Sequence, residues 1–122
     1  MTSAIVLFAH GARDPEWAAP FRRLQSRLRE TAPGRAVELA FLEFMSPALP
    51  DALDTLANAG HHSILLVPLF MAPGGHLKRD VPQLIDAVRQ RHPGLVIDVA
   101  PTVGESEAVT AAIAGWIETL AH

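Results

Sequence analysis

The chain contains no cysteine, which excludes disulfides, thiolate-held metals and iron–sulfur ligation. It lacks any apolar stretch long enough to span a bilayer. It also lacks a block of Lys/Arg suited to nucleic acid, since ten basic residues stand against thirteen acidic ones for a formal charge of −3. Long linkers and low-complexity segments are missing too, so the 122 residues read as one domain, 1–122. A chain of that size buries roughly two-thirds of its unfolded surface. The opening residues, MTSAIVLFAHGARD, carry no basic leader, and their apolar run fits a first strand better than a signal peptide. The expectation is a cytoplasmic protein with no nucleic-acid or membrane partner.

What is present is ordinary globular material, 49% hydrophobic and 19% charged, organised around residues 64–80, ILLVPLFMAPGGHLKRD. The apolar run Ile64 to Phe70 predicts a strand buried on both faces, hence a parallel sheet covered by helices. The Gly74-Gly75 pair is expected to fold tightly by conformations closed to other residues. Other apolar runs, Ala4–Ala9, Val37–Leu42 and Leu95–Ala100, predict three further strands. Between them lie helical stripes. Trp17, Phe21, Leu24 and Leu28 follow Asp14-Pro15 as cap and first turn, with Pro20 either marking the helix start near Ala19 or distorting its first turn. Leu49, Leu53 and Leu56 follow Ser46-Pro47 as a second cap. Val81, Leu84, Ile85 and Val88 follow Asp80 as a third. Val109, Ile113, Trp116, Ile117 and Leu120 make the stripe of a last helix over 105–120. Four strands alternating with four helices give an α/β fold, a three-layer parallel four-stranded sheet of flavodoxin-like form in the order 2-1-3-4.

Three polar residues stand just beyond three successive strands. They are His10, Glu43 and His76, spaced by 33 residues from 10 to 43 and again from 43 to 76. Parallel strands bring all three to one edge of the sheet, and His10 and His76 are expected to face each other across the switch point. Two imidazoles and a carboxylate suit a borderline divalent ion such as cobalt, nickel, iron or zinc. Each residue alone also fits a plainer role, the histidines as loop residues and Glu43 as a solvated or helix-start carboxylate. Arg13, Lys78 and Arg79 share these loops and are placed to meet an anion. His61 and His62 fall at the opposite edge, His92 ends the third helix where a cation suits the dipole, and the arginines of the first helix read as a solvated face.

The stretches AHGARDPEW (9–17), AFLEFMSPALPDAL (40–53) and VPLFMAPGGHLKRDVP (67–82) resemble the class II sirohydrochlorin chelatases in their short cobaltochelatase form. The resemblance covers nearly the whole chain in order and spacing. It implies an ATP-independent lyase that inserts Co2+, or Fe2+ or Ni2+, into sirohydrochlorin, with the metal as substrate and no organic cofactor. It assigns metal binding and insertion to His10 and His76, with Glu43 beside them. It implies a homodimer enclosing the tetrapyrrole, because longer relatives hold two such domains in one chain. Ala12 departs from the serine of many relatives, so any hydroxyl contact there is missing.

The residue types agree with that chemistry. Insertion strips water from the ion and removes two pyrrole protons. An imidazole, with unperturbed pKa about 6.5, both ligates an ion and accepts a proton near neutral pH. Arg13, Lys78 and Arg79 would clamp the substrate's carboxylates, and Phe44, Phe70, Met71 and Leu77 would line the macrocycle. Two alternatives remain at this level. One is a carrier that holds a metal or tetrapyrrole without reaction. The other is a phosphohydrolase of the histidine-phosphatase type, which wants an arginine where this chain has Ala9.

Overall fold

Six successive apolar side chains make Ala4–Ala9 a strand, β1, that is stable only when covered on both faces, and all six residues are buried. The computed structural model describes residues 3–72 and 74–121, the side chain of His76 excepted. Beside β1 lie β2 (Val37–Phe41) and β3 (Ser63–Pro68), and β4 (Val96–Val99) pairs with β3, so the parallel sheet runs β2-β1-β3-β4 as expected. Ile5 pairs with Val37 on one side and Leu65 on the other, which puts the odd-numbered residues of β1 and β3 on one face.

The helices are α1 (Ala19–Thr31), α2 (Leu49–Asn58), α3 (Gly75–Arg91) and α4 (Glu107–Leu120). On one face Ile5, Leu7, Val37, Leu39 and Phe41 are covered by Phe21 and Leu28 of α1 and by Trp17 of the turn just before it. On the other, α2 and α3 bring Leu49, Leu53, Leu56, Ile85 and Val88 onto Val6, Phe8, Ile64, Leu66 and Ile97. Each such side chain contributes about 1.5–3 kcal/mol by leaving water. Truncating fully buried Leu53 to alanine therefore removes roughly 2–5 kcal/mol.

Local starts differ from expectation in instructive ways. Asp14 does cap, accepting from the Glu16 N–H at 2.9 Å, but it caps a 3-10 turn, Pro15–Ala18, and α1 proper begins beyond it at Ala19. Proline at the second position of α1 has no helical amide to lose there, which is why Pro20 is tolerated. Ser46-Pro47 is a cis peptide bond in the loop rather than a cap, and α2 starts after Ala48 with Pro50 in its first turn. Asp80 and Pro82 lie inside α3, not at its start. The last helix begins at Glu107, capped by Ser106, after a second 3-10 turn, Val103–Glu105.

Two expectations about the central stretch are corrected. β3 is not buried on both faces: its residues alternate, with Ile64, Leu66 and Pro68 buried and Ser63, Leu65 and Val67 half-buried. The reason is that α4 does not lie on the sheet. None of its described residues is buried, none joins either core cluster, and Trp116 is 63% exposed. Nor do Gly74 and Gly75 need glycine's freedom. Gly74 has φ −72°, ψ 157°, and a Cβ on either would meet open space.

Candidate functional site

The site is built where the β1–β2 ladder runs past its strands. Leu42 N–H donates to the Ala9 carbonyl at 3.0 Å and Glu43 N–H donates to the His10 carbonyl at 3.1 Å. This backbone pairing fixes Glu43 alongside His10, and Nδ1 of His10 stands 3.9 Å from Oε1 of Glu43. Both side chains are about half exposed, 55% and 52%. In water such a pair adds little stability, so its geometry leaves a nitrogen and a carboxylate facing solvent together.

Two residues of positive φ, Gly11 and Phe44, frame this pair. Gly11 has φ +91°, and a Cβ there would run into the Glu43 carbonyl. Directly after Glu43 the chain makes a tight turn closed by Met45 N–H donating to the Glu43 carbonyl at 2.8 Å, with Phe44 at its centre in the left-handed region, φ 64°. A bulky residue in that region stores about 1–3 kcal/mol of strain, a feature that clusters at ligand sites. The turn holds the Phe44 ring out in solvent, 57% exposed, with the Arg13 guanidinium 4.5 Å above it. The cation and the aromatic face therefore arrive together from the first and second loops. Ala12 directly precedes Arg13 in sequence, with no hydroxyl to offer.

The third loop supplies the floor. Phe70 is buried, with the His10 ring edge-on to it at 5.4 Å and Phe8 edge-on behind it, also at 5.4 Å. Met71 is 65% exposed at the rim and Leu77 is buried. Lys78 and Arg79 are exposed near the start of α3. His76 is the second residue of that helix, and its side chain, like Pro73, lies outside the described residues. Among the described residues no three His, Asp or Glu side chains come together as a metal cluster.

The cleft so formed has a volume of about 460 Å³. His10, Phe70, Met71 and Leu77 line it as expected, together with Trp17, Phe21, Leu42 and Leu69, which sequence reasoning assigned to the core or left unassigned. Trp17 and Phe21 pack ring on ring at 4.8 Å. The signal for them was their position on the first turns after the His10 loop, where a helical stripe must cross the sheet edge before it reaches the core. Phe70 and Leu77 also wall a second apolar cavity of about 410 Å³ on the α3 side.

Away from this edge the remaining histidines behave differently. The His62 carbonyl accepts from Val96 N–H at 2.8 Å, at the opposite end of the sheet. His92 does more than end α3: its Nε2 lies 2.8 Å from Asp54 of α2, and Arg91 reaches the same carboxylate at 3.0 Å. Burial alone would raise the Asp54 pKa, but hydrogen bonds from Arg91 and His92 outweigh it and hold the carboxyl below its usual value. The α1 arginines are not all solvated, since Arg29 donates to the Val37 carbonyl at 2.7 Å.

Comparison with known proteins follows the same lines. A family model described as CbiX matches residues 4–119. The sirohydrochlorin cobaltochelatase of Sulfurisphaera tokodaii is 31% identical over 105 residues, 86% of this chain and 82% of that protein. The sirohydrochlorin cobaltochelatase of Methanococcus aeolicus is 33% identical over 85 residues, 70% of this chain, and the match spans only 59% of that relative's length. Among solved structures, one described as a CbiX protein from Marinobacter aquaeolei VT8 superposes with TM-score 0.82 at 29% identity, covering 97% of this chain and 96% of that one. The sirohydrochlorin chelatase SirB of Bacillus subtilis subspecies spizizenii, in complex with cobalt, has TM-score 0.80 at 24% identity. It shares the fold over 99% of this chain, which spans 52% of SirB. No helix of the described residues is long and apolar enough to cross a membrane.

Proposed function

The chain belongs to the CbiX family, and from that membership we propose that it inserts a divalent metal ion, cobalt foremost, with iron or nickel as alternatives, into sirohydrochlorin without consuming ATP. The metal is a substrate, and no organic cofactor takes part. The observation that carries this reading is the His10–Glu43 pair at 3.9 Å, held by backbone at the mouth of an aromatic cleft. A borderline ion accepts both donor types, and His76, on the first turn of α3, is proposed as the third ligand.

In this reaction His10 and His76 hold the ion and displace its water. As the ion passes to the pyrrole nitrogens, the imidazole lone pairs that it leaves are free to accept the two protons those nitrogens release. Glu43, exposed to solvent on one side, balances the ion's charge and passes those protons outward. Phe44, Phe70, Met71 and Leu77 face the macrocycle, and the cations of Arg13, Lys78 and Arg79 meet its peripheral carboxylates. Fixed donors beside a shaped apolar cleft supply proximity, the main lever available to a protein that adds no cofactor.

We further propose that residues 1–122 act as one chelatase domain in the cytoplasm and pair with a second copy, so that two clefts enclose one tetrapyrrole. An absorption assay with purified protein, sirohydrochlorin and Co2+ tests the reaction directly. A shift of the macrocycle bands that depends on protein concentration supports it. Binding without an accelerated shift reduces the protein to a carrier, and release of phosphate from a generic ester would point to hydrolysis instead.

A further inference from the structure

Phe70 forms the floor beneath His10, yet it lies beyond the strand that leads to it. β3 ends at Pro68, and Leu69 N–H still donates to the Phe8 carbonyl at 2.8 Å. From Phe70 onward the chain is loop. The Phe70 ring also stands as a wall between two open spaces, the cleft of about 460 Å³ and the cavity of about 410 Å³ on the α3 side. An empty space offers a side chain no partner atoms, so packing is thin on two of its sides and its backbone needs a separate brace.

That brace comes from the segment after β4. Ala100 N–H donates to the Leu66 carbonyl at 2.9 Å, and Thr102 is buried. The 3-10 turn Val103–Glu105 follows, closed by Glu105 N–H donating to the Thr102 carbonyl at 2.9 Å and Ser106 N–H to the Val103 carbonyl at 3.1 Å. From the middle of this turn Gly104 N–H donates to the Phe70 carbonyl at 3.2 Å, and a Cβ on Gly104 would strike the Met71 carbonyl. Gly104 is a glycine for want of room alone. Gly11, Gly34, Gly60 and Gly94 have positive φ, which favours glycine in any surroundings, but Gly104 is not among them. Its own backbone would accept other residues; the peptide beside it would not.

We propose that Gly104 is a positioning residue for the His10 site: the bare turn holds the Phe70–Met71 peptide where it sets the Phe70 ring edge-on to the His10 ring, at 5.4 Å. Gly104 lines neither open space, so it acts through Phe70 and touches no ligand itself. This deepens the chelatase reading and rests on that reading for its kinetic arm alone. The expected leverage is large, because an active group misplaced by about 1 Å can cost about 10²-fold in rate. Any side chain at Gly104 requires the Met71 carbonyl to move, and Phe70 is the residue joined to it.

Gly104→Ala tests this, with Val37→Ala as a control that loosens the buried core at the opposite edge of the sheet. Proton NMR of the metal-free protein, at a pH where imidazole is neutral, reads the His10 ring signal and its Overhauser contact with the Phe70 ring. Gly104→Ala should move that signal and weaken the contact, and Val37→Ala should leave both in place. In the absorption assay Gly104→Ala should lower kcat about tenfold to a hundredfold per folded molecule, with KM within about threefold. Val37→Ala should keep the native kcat once its folded fraction is counted. Amide-to-ester exchange at Gly104 removes the donor without adding a side chain, so it serves where Gly104→Ala fails to fold, and it should also move the His10 signal. An unmoved His10 signal in the folded Gly104 variants, or a loss of kcat no greater than in Val37→Ala, overturns the inference. A native protein that inserts no metal removes the chelatase reading instead, and the NMR comparison still decides what Gly104 holds in place.

Discussion

The carbonyl of Glu43 stands where a side chain on Gly11 would have to begin. Gly11 also has φ +91°, so any other residue meets both backbone strain and a collision with the peptide that positions the candidate carboxylate. Gly11→Ala is expected to cost about 1–3 kcal/mol or more, a fall in Tm of roughly 5–15 °C, and to separate His10 from Glu43. Thermal melting followed by circular dichroism checks the first effect and the chelation rate the second. An unchanged Tm would mean that the Glu43 peptide swings aside freely.

His10 and Glu43 stand at the surface of a body they hardly stabilise, since each side chain is about half exposed. His10→Ala should lower the chelation rate by about 10²–10⁴-fold, the usual range for a positioned acid–base group, with stability within about 0.5 kcal/mol. His76→Ala should do the same to the rate, and Glu43→Gln should slow insertion less. Full activity in both histidine variants would remove the proposed ligand set.

Phe70 carries both stability and placement, being 8% exposed with rings on two sides. Phe70→Ala should cost about 3–5 kcal/mol and free the His10 ring. Phe70→Leu should recover much of the stability but not the edge contact, so its activity should stay below the native level at full folding. Urea titration and the absorption assay on the same preparations distinguish the two.

Arg13, above the exposed Phe44 ring at 4.5 Å, should act on substrate capture. Arg13→Gln is expected to raise KM several-fold with kcat within about twofold, the pattern of lost uniform binding. The native KM should rise with salt more steeply than the variant's. Equal salt dependence in the two proteins would show that Arg13 does not face the substrate.

Acid stability should depend on Asp54, which joins α2 to α3 through Arg91 and His92. Its folded pKa is lowered, so in the acid range the unfolded chain binds the proton more readily. The stabilisation is therefore complete above the unfolded carboxyl value, about 3.9, and is lost as pH falls through the folded one. Asp54→Asn should reduce stability near neutral pH and flatten its decline in acid. A native and variant protein with parallel pH profiles would contradict this linkage.

Much of this molecule was legible in its sequence because the signals were local. Unbroken apolar runs marked the strands, stripes marked the helices, and chain order with right-handed crossovers gave β2-β1-β3-β4. The pairing of His10 with Glu43 was legible as a matter of strand ends. What escaped was decided by contacts between distant backbones. Gly11 and Gly104 are the glycines with no room for a side chain, yet Gly74-Gly75 looked the more telling pair. Ser46-Pro47 and Asp80 carried the composition of caps but lie outside the starts of α2 and α3. The stripe of α4 was correctly read as apolar, but periodicity states only that a face needs cover, never which surface provides it.

Gly104 gives the fold one further property. The Phe70 carbonyl, at the floor of the cleft, receives the Gly104 N–H and so ties the stem of the terminal helix to the residue beneath His10. A Cβ at Gly104 would strike the Met71 carbonyl, so any side chain there displaces the rim of the cleft together with the stem of the helix.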